Sequence, residues 1–210
     1  MSREIPVILL AMEFSIPEPD RVRTVLDRNR DTLGALGAHQ VVVHHSDVEP
    51  TRVLTTIGFR SRQPMRQLLG SHYLLDWFDA VGLDEVPAVF AGDIVFHNDT
   101  ADPSPLSREF IVAAIFPVPE PEAFVVQVKA SLARFRRYGI RKVRVYQAFD
   151  DRRELMLLLT VDNQAHAHLW LSKSDAAAAW LTSAGVGIYP PVFLGSADFA
   201  IHFPAQRPGR

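Results

Sequence analysis

The chain repeats itself. A shift of 102 residues lays Phe14 on Phe116, Pro17-Glu18-Pro19 on Pro119-Glu120-Pro121, Gly37 on Gly139, Val41 on Val143 and Val43 on Val145. One inserted residue later, at a shift of 103, Trp77 meets Trp180, Gly82 meets Gly185, Pro87 meets Pro190, Val89-Phe90 meets Val192-Phe193 and Gly92 meets Gly195. Proline, glycine and aromatic residues set turns and cores, so their recurrence in one order marks a repeated fold rather than a shared surface. The halves run over 1–98 and 106–204, joined by a polar, proline-rich linker over 99–105. The segment from Pro204 onward has the same character and is expected to fray.

Each half opens with an apolar run, Pro6 to Phe14 and Phe110 to Phe116. A Pro-Glu-Pro turn follows, and then a helical stripe: Val22, Val25, Leu26, Leu33 and Leu36 in the first copy, Phe124, Val125, Val128, Leu132 and Phe135 in the second. Gly37 and Gly139 stop these helices, with proline at the start and glycine past the end. Strands are predicted over Gln40 to His45 and Arg52 to Arg60, matched by Lys142 to Gln147 and Glu154 to Asp162. Second helices follow over Gln63 to Val81, with a break at Gly70, and over Gln164 to Ala184. Last strands lie within Ala88 to His97 and Val192 to His202, where Gly92 and Gly195 mark a bulge or turn. The order βαββαβ, written twice, is the split βαβ, ferredoxin-like fold of the α+β class.

In a lone unit of this kind helices cover one sheet face, so strands should alternate apolar and polar residues. Here Val7-Ile8-Leu9-Leu10-Ala11-Met12, Ile111-Val112-Ala113-Ala114-Ile115 and Leu155-Met156-Leu157-Leu158-Leu159 are apolar on both faces. The other half is the expected cover. Two antiparallel sheets face to face would make an intramolecular α+β barrel, a pseudo-dimer within one chain that leaves further homo-oligomer formation open.

Composition narrows the chemistry. No cysteine is present, which removes disulfides, thiolate nucleophiles and thiolate metal sites. A net charge of −2 gives no electrostatic reason for a polyanionic partner. The run Arg134, Arg136, Arg137, Arg141, Lys142 and Arg144 reads as a solvated face at a helix end, and strand three lacks the aromatic motif of RNA-recognition sheets, so no nucleic acid is expected. The opening lacks a signal peptide and no apolar stretch has membrane-spanning length, so a cytoplasmic protein without a membrane partner is expected.

Arg60-Ser61-Arg62-Gln63-Pro64-Met65, then Leu68, Ser71-His72 and Trp77-Phe78, resembles the strand-three-to-helix-two segment of the dimeric α+β barrel superfamily, and within it the antibiotic-biosynthesis-monooxygenase-like domains. Trp170-Leu171-Ser172-Lys173-Ser174-Asp175, ending at Trp180, is the second copy. The resemblance implies a tandem version of a dimer. It implies one of three kinds of member: cofactor-free oxygenases of aromatic polyketides, haem-degrading enzymes, or members with no known reaction. In the haem-degrading branch an asparagine, a tryptophan and a histidine carry the site. Those positions hold Met12 and Ala114, Leu68 and Trp170, and Phe78 and Trp180. Only Trp170 matches, and haem iron is left without an axial histidine. No tightly bound cofactor is expected.

The candidate ligand-binding residues are Trp170, Tyr146, Glu13, His44 and His45. Trp170 matches a family site position. Glu13, amid apolar neighbours, could act as a base if buried, or pair with an arginine at a strand end. His44 and His45 end the second strand and point to opposite faces. Tyr146 and Gln147 take their places in the other half. His166 and His168 are two apart where helical metal chelation needs three or four, so no metal is expected. Two functions fit: a monooxygenase-like enzyme acting on a hydrophobic or aromatic small molecule, or a non-catalytic binding or interaction module. Polar groups converging in a dry cavity would mark the enzyme, and a cavity filled by side chains the module.

Overall fold

The computed structural model describes residues 7–99, 109–172, 176–187 and 190–204. Most of the linker, the Lys173-Ser174-Asp175 part of the second motif and the segment beyond Pro204 lie outside them. The described chain is α+β, with eight strands and seven helices. β1 (Ile8–Ser15), α1 (Asp20–Arg28), α2 (Arg30–Ala35), β2 (Ala38–Ser46), β3 (Arg52–Phe59), α3 (Arg62–Leu69), α4 (Tyr73–Val81) and β4 (Val89–Asp99) make the first repeat. β5 (Phe110–Pro117), α5 (Pro121–Arg137), β6 (Ile140–Ala148), β7 (Glu154–Val161), α6 (Gln164–Ser172), α7 (Ala176–Ser183) and β8 (Val192–His202) make the second. Each repeat is the βαββαβ, ferredoxin-like unit read from the sequence.

Helix boundaries show the local chemistry. Pro19 caps α1 and Pro121 opens α5, where its missing N–H costs nothing. The first helix, continuous by periodicity, breaks at Asn29. Its Nδ2 donates to the Val25 carbonyl at 2.8 Å while its backbone leaves the helical region at ψ 10°. Asparagine offers such a local alternative where a straight aliphatic chain would not. The break at Gly70 falls where the sequence placed it, between α3 and α4.

Gly37 and Gly139 end the first helices with φ at 85° and 74°. A Cβ at Gly37 would sit 2.7 Å from the Pro64 side chain, and one at Gly139 would run into the His166 ring. Gly185, at φ 86°, has no atom within 4 Å of such a Cβ. We therefore expect Gly139→Ala and Gly37→Ala to lower the urea midpoint by more than Gly185→Ala does, which carries only the left-handed strain of about 1–2 kcal/mol. Equal midpoints for all three variants would contradict this.

The chain forms two compact units, residues 1–91 with 197–210, and residues 92–196. In the first the strand order is β4-β1-β3-β2-β8, and in the second β8-β5-β7-β6-β4. The sequence repeat and the compact unit are thus different divisions of the chain, because both boundaries fall inside a last strand. β4 enters unit 2 at Gly92, and β8 returns to unit 1 after Ser196. Gly92 and Gly195 themselves stay in register, opposite Ala148 and Ile111. The irregularity in β4 lies instead between Ile94 and Phe96. β1 is buried on both faces from Ile8 to Met12, and so is most of β7. No described helix is long and apolar enough to cross a membrane.

Candidate functional site

In unit 2, α5, α6 and α7 pack on one sheet face. Val112, Ala114, Val143, Val145, Leu157 and Leu159 meet Phe124, Phe135, Trp170 and Trp180 there. The rings form a connected set: Trp170 lies 5.5 Å from Phe135, 5.1 Å from Tyr138 and 6.3 Å from Trp180 between centroids. Most of these pairs meet edge to face, the arrangement ring quadrupoles favour. Trp180 is anchored as well, its Nε1 donating to the Ser131 hydroxyl at 2.8 Å. Trp77, its counterpart, is buried with no hydrogen-bond partner for Nε1. Asn29 stands at the position of Ser131 and spends its amide on the Val25 carbonyl.

Between sheet and helices of unit 2 lies a cavity of about 20 Å³. Its walls are two tryptophans, Trp170 and Trp180, and eight aliphatic residues, including Val112, Ala114, Leu157 and Ala177. Among the described residues, none in the wall carries an acid, a base or a hydroxyl. At three matching positions unit 1 holds larger side chains, Met12 for Ala114, Leu74 for Ala177 and Phe78 for Leu181, and at two it holds smaller ones, Thr55 for Leu157 and Leu68 for Trp170, all buried. Sequence reasoning singled out Trp170 but missed the cavity. Its signal was the run Ala176-Ala177-Ala178-Ala179 set against Tyr73-Leu74-Leu75-Asp76.

Tyr146 does not join Trp170. Val143 and Val145 face the helices, so Tyr146, between Val145 and Gln147, points to the opposite face. It is 1% exposed, paired with Met156 and Ile94. Burial pushes its hydroxyl up to about 12, with Arg144 lowering it and Asp99 raising it by smaller amounts. The phenol is therefore neutral at ordinary pH and can donate a hydrogen bond but not accept a proton as a phenolate.

The shift has a pH consequence. The native state holds this proton after the unfolded state, whose tyrosine titrates near 10, has lost it. Stability is complete below pH 10 and falls between about 10 and 12, by on the order of 2–3 kcal/mol from this residue. Tyr73 is pushed up to about 12 by burial too. Tyr146→Phe should flatten part of the alkaline loss in a denaturant series at pH 9–12, and an unchanged slope would contradict the burial argument.

Glu13 and His44 share one cross-strand row in unit 1, each beside Leu54. The neighbouring Phe14 meets Trp77 at 5.8 Å, so this row faces away from the helices. Two strand spacings separate them, about 10 Å. Glu13 is half-exposed and takes the Arg52 guanidinium at 2.5 Å, the strand-end pairing weighed against a catalytic role. His44 is buried, with Nδ1 3.3 Å from the Leu54 carbonyl oxygen. His45 lies in the next row, beside Val53. Among the described residues one group could hold a metal: Asp20, His45 and Asp198, with ligand atoms within 4.8 Å of one another. Both aspartates are exposed, and the second repeat has Glu122 and Gln147 in place of Asp20 and His45. Within the basic run, Arg141 pairs with Asp162, Lys142 with Glu109 and Arg144 with Asp99.

The architecture has solved relatives. An anthrone oxidase-like protein superposes with a TM-score of 0.68 over 95% of this chain and 94% of its own, at 14% identity. The fold is that of the dimeric α+β barrel proteins. A provisionally named monooxygenase from Lactobacillus acidophilus NCFM shares this barrel fold at a TM-score of 0.61 and 14% identity, over 95% and 97% of the two chains. The haem-degrading enzyme LmHde from Listeria monocytogenes shares it at 0.50 and 9%, over 94% and 99%. Neither a protein-family model nor a curated protein matches the sequence. At such identities the likeness to other barrel proteins is one of fold, and function has to be argued from the site.

Proposed function

We propose that this is a small-molecule-binding, monooxygenase-like α+β barrel protein, with a hydrophobic or aromatic ligand received in the helix–sheet layer of unit 2 beside Trp170. The observation that carries this is the wholly apolar cavity under Trp170, at positions where unit 1 keeps Met12, Leu74 and Phe78. An apolar wall favours ligands by removing their apolar surface from water. The fold's solved relatives include proteins named as oxidase-like, monooxygenase and haem-degrading. In the same reading the protein is cytoplasmic, and one chain supplies both repeats.

A specific observation favours the non-catalytic form of this reading. Proton removal from a substrate needs a base within hydrogen-bond reach, and among the described residues none in the cavity wall offers one. Native mass spectrometry of the purified protein tests the binding claim, reading a retained ligand and the assembly mass together. Oxygen uptake on addition of that ligand then separates oxidation from binding. A ligand-free protein that binds no hydrophobic probe would sink the proposal. Haem should not be that ligand, because Phe78 and Trp180 occupy the histidine positions. Titration should give no Soret band of a histidine-ligated complex, and a tight stoichiometric one would contradict the assignment.

A further inference from the structure

We infer that Asp20, His45 and Asp198 form a binding site for a divalent metal ion of the zinc type. The inference goes beyond the ligand reading of unit 2, since all three residues belong to unit 1. Each offers one donor atom, an imidazole nitrogen or a carboxylate oxygen, and the three atoms lie within 4.8 Å of one another. They come from three elements. β1 and β2 both run antiparallel to β3, so they end at one rim of the sheet. Asp20 opens α1 past the end of β1, and His45 is the last residue but one of β2. β8 runs against β2: the Phe203 N–H bonds to the His39 carbonyl, and earlier in β8 Asp198 comes up to His45, later in β2.

Acidic side chains often crowd on a surface without an ion, so His45 carries the argument. It is only partly exposed, and it shares a row with Val53 and Phe14, the row that faces the helices. Among the described residues its ring forms no hydrogen bond or ion pair, whereas Nδ1 of the adjacent His44 lies 3.3 Å from the Leu54 carbonyl oxygen. The two aspartates thus approach His45 without closing a direct pair, the spacing that an intervening ion fills. Two metal bonds of about 2.1 Å at a tetrahedral angle hold their donors roughly 3.4 Å apart. Turning exposed aspartate side chains closes the difference at small cost. One imidazole with two carboxylates is a zinc-type set, whereas calcium and magnesium prefer oxygen alone. The carboxylates balance the charge of a divalent ion, and the exposed side leaves a fourth place to water. Asp20 alone would be explained by the dipole of α1, whose first turn it occupies. That role does not account for His45 and Asp198 beside it. The repeat supplies an internal control: the matching positions hold Glu122, Gln147 and Val95, so one ionisable donor of the three is left there.

The experiment titrates the full-length protein with zinc chloride in a calorimeter, beside His45→Gln, Asp198→Asn and Glu122→Gln. The wild type should show one site whose affinity falls at least tenfold in the first two variants and is unchanged in the third. Glutamine already stands at the matching strand position in the second repeat, as Gln147, so His45→Gln suits the strand. The chain has eight histidines, and the place of binding is therefore read separately, from the ring nitrogen shifts of the histidines in the wild type. The His45 ring should respond first and saturate at one equivalent of zinc, and calcium or magnesium at the same concentration should leave it in place. If His45→Gln and Asp198→Asn keep the wild-type affinity, or if another histidine responds first, the site is refuted. An equal response to calcium would overturn the zinc-type assignment. Should a variant fail to fold, the wild-type ring shifts decide by themselves.

Discussion

A fragment spanning residues 1–98 is expected to aggregate or to self-associate rather than fold as a monomer. The reason lies in how unit 1 is composed. The strand beside β2 is the later part of β8, from Ala197 onward, which such a fragment lacks. Ile201, 1% exposed in the whole chain, is lost with it. So is the hydrogen bond from the Phe203 N–H to the His39 carbonyl at 3.0 Å, and the packing of the Phe203 ring against Gly34. β2 would become an open edge carrying Val41, Val42 and Val43, the kind of strand that recruits another chain. Residues 92–98, which belong to unit 2, would remain as an orphaned extension. At roughly 25 cal/mol per Å² of apolar area, uncovering a few hundred Å² costs many kcal/mol, comparable to the stability of a small domain. Sedimentation velocity decides it. A soluble, cooperatively unfolding monomer would mean that unit 1 does not need β8.

Trp170→Ala and Trp77→Ala should each lower stability by roughly 3–5 kcal/mol, the range for emptying a buried aromatic site. Both rings are buried, and each sits in a cluster of edge-to-face contacts. Their effects on ligand should part. Trp170 forms a wall of the apolar cavity, so its truncation should weaken binding of a retained ligand more than truncation of Trp77, after both are compared as folded protein. Denaturant midpoints give the first quantity and titration of the folded variants the second. Equal affinities would remove Trp170 from the site and leave it as core.

Much of this was legible in the sequence because the informative residues are ones whose conformational demands are narrow. Gly37 and Gly139, and Gly82 and Gly185, all adopt positive φ, so their recurrence announced four helix ends. Apolar residues on both faces of β1, β5 and β7 announced two-sided burial. The break at Asn29 was hidden because Leu33 and Leu36 keep the helical period across it. The division of β4 and β8 between units was hidden for a different reason. A strand's sequence records which face is buried, and says nothing of which neighbour it pairs with along its length. The site was least legible. Alternation alone would have placed Tyr146 opposite the helix face once Val145 was anchored there. The cavity, by contrast, depends on the summed volume of residues distant in sequence, with Ala114 and Ala177 as the deficit. The approach of Asp198 to Asp20 and His45 is likewise a matter of which strand lies beside which.

The crossing of β8 back into unit 1 sets an order of events during synthesis. Domains that are continuous in sequence can fold as they leave the ribosome, the earlier one first. Unit 1 cannot. Its residues 7–91 emerge early, but the strand that finishes it follows the whole of 92–196. At ordinary elongation rates that is a wait of roughly 5–20 s, during which β2 has no partner on one side. A nascent chain of this design therefore passes through a window in which an almost complete first unit is open to chaperones, to proteases and to the matching strand of a neighbouring nascent chain.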